Sequence, residues 1–355
     1  MSLASEIAEQ PAVAARLLEP GREGIEAIAA SVAPRLRDRD LDNVVIAARG
    51  SSDHAAIYGQ YLFGSRLRLP AGLATPSLLS IYGVEPRLDR SLVIGISQSG
   101  ASPDIVGVVA AARRQGAASI AVTNDPRSEL AAAANHTIDL ATGPELAVAA
   151  TKTYTAELLA IALLVTAIGR GEARPATDPE AELAGLPDAI AAALAVESDA
   201  EAVARYLADG AHDRLIVVGR GYEYATAREL ALKLKELARI AADPYSAADF
   251  LHGPLALAEP GRPIVVIAPS GAAAADIDGL LERLGELGVD RIVVSDREAA
   301  LRQGALAIPL PRGIADWLMP IVSIVPGQLL ARHLALARGL DPEAPRWIAK
   351  VTLTR

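Results

Sequence analysis

The sequence predicts an α/β protein built from two tandem copies of one domain, each a parallel sheet flanked by helices in the doubly wound, flavodoxin-like manner. Three observations predict it. From residue 43 onward, short apolar runs of strand length alternate with segments of helical periodicity, the pattern of parallel strands joined by crossover helices. The second half also repeats the first at a constant offset. Arg49-Gly50 recurs as Arg220-Gly221, Ser99-Gly100 as Ser270-Gly271, Asp125 as Asp296 and Glu157 as Gln328, each pair 171 residues apart. Independent coincidences would not keep one register over roughly a hundred residues, so the halves are a duplication. Finally, the apolar run 92–96 leads through Ser97-Gln98-Ser99-Gly100-Ala101-Ser102 into a helical pattern. That puts a hydroxyl-rich loop at the carboxyl end of a strand, where such sheets receive ligands.

Taken in order, residues 1–40 read as an N-terminal helical arm, with apolar residues at helical spacing over 6–18 and 25–36 separated by Glu19-Pro20-Gly21-Arg22. Its expected role is packing or a subunit contact. Residues 41–169 form the first domain, with strands at 44–48, 92–96 and 119–122, a helix from about Asp53, a helix ending at Gly116 and a long helix from Tyr154 to about Ile168. Ser102 stands at the N-cap of the second of these helices and Pro103 at its first position, residue types preferred there because Ser satisfies an orphan amide and Pro has none to lose. Residues 170–210 are a linker with helices: 170–180 is polar, Pro-containing and aperiodic, and helical spacing resumes over 181–209. The second domain covers 211–340, and 341–355 is a C-terminal tail carrying Lys350.

A length of 355 residues suffices for two domains with full cores. The net charge of −9 argues against a nucleic-acid or anionic-membrane partner. It does not argue against an anionic substrate, since a local nest of amides and hydroxyls holds a phosphate without a basic field. The absence of Cys excludes disulfides, thiolate metal sites and a Cys nucleophile. The N-terminus carries acid within its first ten residues and no apolar core, so it does not read as a signal peptide. The apolar run 158–169 is too short to span a bilayer, and a cytoplasmic protein is expected. His54, His136, His212 and His333 form no metal-spaced cluster with carboxylates, so neither a metal nor a cofactor is expected.

The chemistry-bearing residues fall into a few groups. Amides, hydroxyls and a helix dipole converge at 97–102, so an anion, phosphate first, is the natural guest. An ordinary β-to-α turn is the plainer reading. The second copy has Ala268-Pro269-Ser270-Gly271-Ala272-Ala273 here, stripped of most hydroxyls, which assigns the phosphate to the first copy. Ser51 and Ser52 follow the first strand and complete the same pocket. On the helix 224–238, Glu229, Lys233 and Glu236 share one face beside the stripe of Leu230, Leu234 and Leu237. As an exposed Glu-to-Lys pair they would add a few tenths of a kcal/mol to the helix. His252, in Phe250-Leu251-His252-Gly253-Pro254, is a candidate acid/base. Lys350 sits among Trp347, Ile348, Val351 and Leu353, which suggests a tail that docks. A lysine carried into a half-buried site can lose its proton and attack a carbonyl. The small-residue stretch 144–152 reads equally as a helix start or a ligand loop.

Together, the Ser-Gln-Ser-Gly loop, Arg49-Gly50-Ser51-Ser52-Asp53-His54, Ala149-Ala150-Thr151-Lys152, Leu232-Lys233-Leu234-Lys235-Glu236, His252-Gly253-Pro254 and Ala349-Lys350 resemble the sugar isomerase (SIS) superfamily. More closely, they resemble the isomerase half of glucosamine-6-phosphate synthase (glutamine–fructose-6-phosphate aminotransferase) and its stand-alone relatives, the synthase-like glucosamine-6-phosphate deaminases among them. The resemblance covers residue 41 to the end and implies two tandem SIS domains. It implies that Ser97, Gln98, Ser99 and Ser102 hold the phosphate of a phosphorylated (amino) sugar, and that Ser51, Ser52 and Val148 contact the sugar. Glu236 would move a proton between C1 and C2 with Lys233 beside it. His252, given to the neighbouring subunit of a homodimer, would open the ring, and Lys350 would form a Schiff base with a ketose. The implied activity is that of a phosphosugar isomerase or deaminase, glucosamine-6-phosphate deaminase first. Another aldose–ketose isomerase, an aminotransferase-like or deglycase-type relative, and a non-catalytic sugar-phosphate sensor stand as alternatives. Three positions depart from the synthase pattern: Ala150 replaces a serine, Arg49 a cysteine and Leu251 a lysine. With these departures, no Cys and no glutaminase-like segment, a complete synthase is not expected.

Overall fold

In the computed structural model, residues 2–170, 177–210 and 212–351 are described; residues 171–176 of the expected linker and Leu353 of the tail lie outside them. The chain begins with α1 (Leu3–Ala8), α2 (Gln10–Leu18) and α3 (Arg22–Arg37). The first repeat follows as β1 (Asn43–Ala47), α4 (Ser51–Leu67), β2 (Ala71–Leu73), α5 (Ser77–Ser80), β3 (Ser91–Ile96), α6 (Pro103–Arg114), β4 (Ala118–Thr123), α7 (Glu129–Ala133), β5 (His136–Asp139) and α8 (Lys152–Ile168). Next come α9 (Pro179–Ala184), α10 (Leu186–Leu194) and α11 (Glu197–Asp209). The second repeat is β6 (Arg214–Gly219), α12 (Glu223–Ala238), β7 (Ala241–Ser246), α13 (Ala247–Leu251), a 3₁₀ turn at Pro254–Leu257, β8 (Ile264–Ile267), α14 (Ala274–Glu286), β9 (Arg291–Ser295), α15 (Glu298–Leu301), β10 (Leu306–Pro309) and α16 (Met319–Ala337).

Both sheets have five strands, all parallel, in the orders β2-β1-β3-β4-β5 and β7-β6-β8-β9-β10. The duplication in the sequence is therefore a duplication of topology. In each sheet the strand order reverses between the first and third strands, and the loops after those strands open onto the crevice where doubly wound sheets bind ligands. Helices on both faces explain why β3 and β4 are buried at every position and read as continuous apolar runs. Gly95 in β3 is required by packing: a Cβ there would lie 2.6 Å from Val109 Cγ2 and 2.8 Å from Leu130 Cδ1.

The chain sorts into two compact units that are not contiguous in sequence. One comprises the described residues of 12–145, 152–184 and 349–351; the other those of 2–11, 146–151 and 185–348. The N-terminal arm is thus divided: α2 from residue 12 and α3 belong to the first unit, with α3 packed on α8. In the second unit the fully buried Glu6 of α1 accepts hydrogen bonds from the amides of Leu146 (2.5 Å) and Ala147 (3.2 Å). Gln10 Nε2 donates to Gln328 Oε1 at 2.8 Å in the same unit. Among the described residues one helix, α16, is long and apolar enough by length and composition to cross a membrane, and it is mostly buried, packed on α10, α11 and α12. In the sequence its apolar runs are interrupted by Pro326, Gln328, Arg332 and His333.

Candidate active site

In the first unit, β1 ends at Ala47 and Gly50, in the left-handed region at φ +58°, turns the chain so that Ser51 opens α4. β3 ends at Ile96 and Gly100, at φ +62°, makes the corresponding turn before α6. Ser51, Ser52, Ser97, Gln98, Ser99 and Ser102 thus come together on two loops that follow neighbouring strands. Ser97 and Ser52 are buried, while Ser51, Gln98, Ser99 and Ser102 are half-exposed. Ser102 occupies the N-cap position of α6 as expected, but its hydroxyl makes no capping bond. The amides of Gly100 and Ala101 donate to Ser97 Oγ (3.2 Å) and Ser99 Oγ (3.3 Å). Ser52 Oγ is fixed by donating to the buried Glu157 Oε1 at 2.8 Å.

Two features of this unit went unread in the sequence. Arg49 reaches from the first loop to Asp104 in the first turn of α6, at 2.9 Å, with Asp104 buried and the guanidinium half-exposed. This pair joins the two loops and leaves a cation beside them, the charge an anion calls for. Lys350, second, is held by Glu145: Nζ lies 2.5 Å from Oε2, and the same buried carboxylate accepts from Thr153 N (3.1 Å) and Thr153 Oγ1 (2.7 Å). Among the described residues around it, Lys350 is the one that docks. Trp347 is 86% exposed, and Ile348 and Val351 are exposed as well, contrary to the expected apolar docking. A repeat-aware reading offered one signal for Glu145, since position 316, at the repeat offset, is also acidic.

In the second unit, Glu229, Lys233 and Glu236 lie on one face of α12, as the spacing required. The plain reading of an exposed pair fails. Glu229 and Lys233 are buried, with Nζ 3.3 Å from Glu229 Oε1 and 2.6 Å from Glu236 Oε2, and Glu236 alone keeps appreciable exposure, 23% of its side chain. The cause is α16, which packs along α12. Burial pulls the Lys233 ammonium down, but the charges of Glu229 and Glu236 and their hydrogen bonds outweigh it and hold the group above the ordinary lysine range. His252 caps the C-terminus of α13 and is exposed between the exposed Leu251 and Gly253. Val148 is half-buried in the segment 146–151, whose first two amides Glu6 takes. Among the described residues, no three His, Asp or Glu side chains are grouped to hold a metal ion.

Two duplicated parallel sheets, the first with a serine-rich loop at its switch point, define a class of α/β proteins with a ligand crevice at the carboxyl ends of the strands. The SIS domain matches residues 39–167 and 210–338, and the chain belongs to that family. Glutamine–fructose-6-phosphate aminotransferase (isomerizing) of Thermococcus kodakarensis is 36% identical over 350 residues, 97% of this chain and 56% of that protein. The chain thus spans just over half the length of the curated relatives it matches. A Silicibacter pomeroyi protein assigned to the phosphosugar isomerases superposes with a TM-score of 0.84 at 35% identity, covering 96% of this chain and all of that one. The C-terminal domain of glucosamine-fructose-6-phosphate aminotransferase from Francisella tularensis superposes with a TM-score of 0.83 at 25% identity, covering 97% of this chain and 98% of that one.

Proposed function

We propose that this chain is an aldose–ketose isomerase-type enzyme acting on a 6-phosphorylated amino sugar, and that it converts glucosamine 6-phosphate and water to fructose 6-phosphate and ammonia. The observation that carries the reading is the Glu229–Lys233–Glu236 chain, in which a buried cation orients the one carboxylate that keeps exposure. A sugar-phosphate sensor has no use for such a group. The 97–102 loop anchors the phosphate, which makes the later steps unimolecular. His252 moves the proton that opens the ring. Glu236 takes the proton from C2 of the open aldose and returns it to C1, leaving an imine at C2; water adds there and ammonia departs. Lys350 is paired with Glu145, which can take its proton; the freed amine can then condense with the carbonyl of a bound ketose, releasing water, a side equilibrium outside the hydrolytic route. The exposure of His252, flanked by the exposed Leu251 and Leu257, supports a homodimer in which this loop serves the neighbouring subunit.

The test is ammonia release from a panel of 6-phosphorylated amino sugars and glycated amines, with Glu236→Gln assayed beside the parent. Ammonia from glucosamine 6-phosphate, reduced at least about a hundredfold in the variant, is the expected result. Silence across the panel, with phosphosugars still raising the melting temperature, would overturn the deaminase and leave an isomerase of another sugar or a sensor.

A further inference from the structure

The second repeat has the parts of an anion site at its own switch point. Its loop 268–273 follows β8 and leads to α14, as 97–102 follows β3 and leads to α6. Gly271 stands at the position of Gly100, also with positive φ. Arg220 stands at the position of Arg49 and likewise pairs with an acid of the following helix, Asp276, at 3.0 Å.

What differs is what the loop's donors face. The amide of Ser270 donates to Asp296 Oδ1 at 2.7 Å and its hydroxyl to Asp296 Oδ2 at 2.5 Å. The amide of Ala272 donates to Asp316 Oδ2 at 3.0 Å. Asp316 presses so close that a Cβ on residue 271 would lie 2.4 Å from its Cγ. Both acids have acidic counterparts in the first repeat that turn elsewhere. Asp125 is half-exposed and accepts from the amide of Arg127 at 3.0 Å, and Glu145 is engaged by Thr153 and Lys350. A third change acts in the same sense: Glu223 replaces the hydroxyl of Ser52, and its buried Oε1 meets no hydrogen-bond donor among the described residues.

We propose that the second repeat keeps the anion-binding loop of the first and holds it shut with two of its own carboxylates, Asp296 and Asp316, so that one phosphorylated ligand binds per chain. Carboxylate oxygens substitute for phosphate oxygens at backbone amides because both are anionic acceptors of the same hydrogen-bond geometry. The opened loop would take inorganic phosphate or a phosphate monoester. The count of one ligand rests on reading 97–102 as the phosphate loop; the closure of 268–273 does not.

The probe is inorganic phosphate, followed by equilibrium dialysis. The parent should bind one phosphate per chain, and Ser99→Ala/Ser102→Ala should weaken it at least tenfold. Adding Asp296→Ser/Asp316→Ser to that background should restore one saturable phosphate. Removing two exposed acids elsewhere, Asp188→Ser/Asp209→Ser, should not, which excludes a simple effect of net charge. A second phosphate on the parent overturns the proposal, as does phosphate retained at the native second loop when the serines are gone. A folded Asp296→Ser/Asp316→Ser chain with no gain also overturns it. A parent that binds no phosphate, with a gain on removing the two acids, would sink the reading of 97–102 and leave the closure standing.

Discussion

Lys233 is a cation held with only 1% of its side chain exposed. Taking an ammonium out of water costs several kcal/mol, and here two carboxylates offset it. Glu229 is the more dependent partner, since it is buried as completely as the lysine. Lys233→Met removes a counter-charge from a buried carboxylate, and the expected loss is about 3–5 kcal/mol, against a few tenths for an exposed pair at the same spacing. Urea unfolding at pH 7 decides between them; a loss below about 1 kcal/mol would show the pair to be a surface bridge. The spacing of the three residues was legible in the sequence, as one face of one helix. Their burial was not, because it depends on α16, some ninety residues further on, and on which face of α12 that helix covers.

At the scale of elements, the β3–loop–α6 unit was read almost residue for residue, since its apolar run, its hydroxyls and its Ser102-Pro103 start are all local signals. The sheet edges were not. β2 is three residues long, and β7 carries Asp243-Pro244, a pair that argues against a central strand but is tolerated where one side of the strand has no ladder. The loop's own strain gives a paired prediction. At Gly100 a side chain meets both a positive φ and Ser128, whose Oγ lies 2.1 Å from where a Cβ would sit and which caps α7. Gly100→Ala should cost about 1–3 kcal/mol and abolish any rise in melting temperature with phosphate. Gly107, on the same α6, has nothing within 4 Å of a built Cβ. Gly107→Ala should raise stability by about 0.5–1 kcal/mol and leave the phosphate response intact. Thermal melts with and without phosphate measure both, and equal responses from the two variants would refute the claim that the loop is a fitted anion cradle.

For the molecule as a whole, the repeat offset carried the most information, because one register predicted two sheets of the same strand order. It could not show where equivalent side chains point, and the clearest case is Glu223, in register with Ser52. Complete burial pushes its carboxyl up to about 7; hydrogen bonds involving Thr226 and Ser323 oppose the shift, and the negative charges of Asp316 and Asp296 add to it. An acid whose folded pKa is raised binds its proton more tightly in the native state than in the unfolded chain. Its contribution is therefore fully present below the unfolded value near 4.5 and is lost as pH rises through about 7. The shift corresponds to about 3 kcal/mol across that window. Glu223→Gln keeps the shape and removes the titration. The variant's stability relative to the parent should therefore improve by about 2–3 kcal/mol between pH 5 and pH 8, read as the difference between two urea midpoints at each pH. A difference that stays constant with pH would mean that Glu223 ionises in the native protein as readily as in the unfolded chain, so that the acids around the second loop do not act on it through charge.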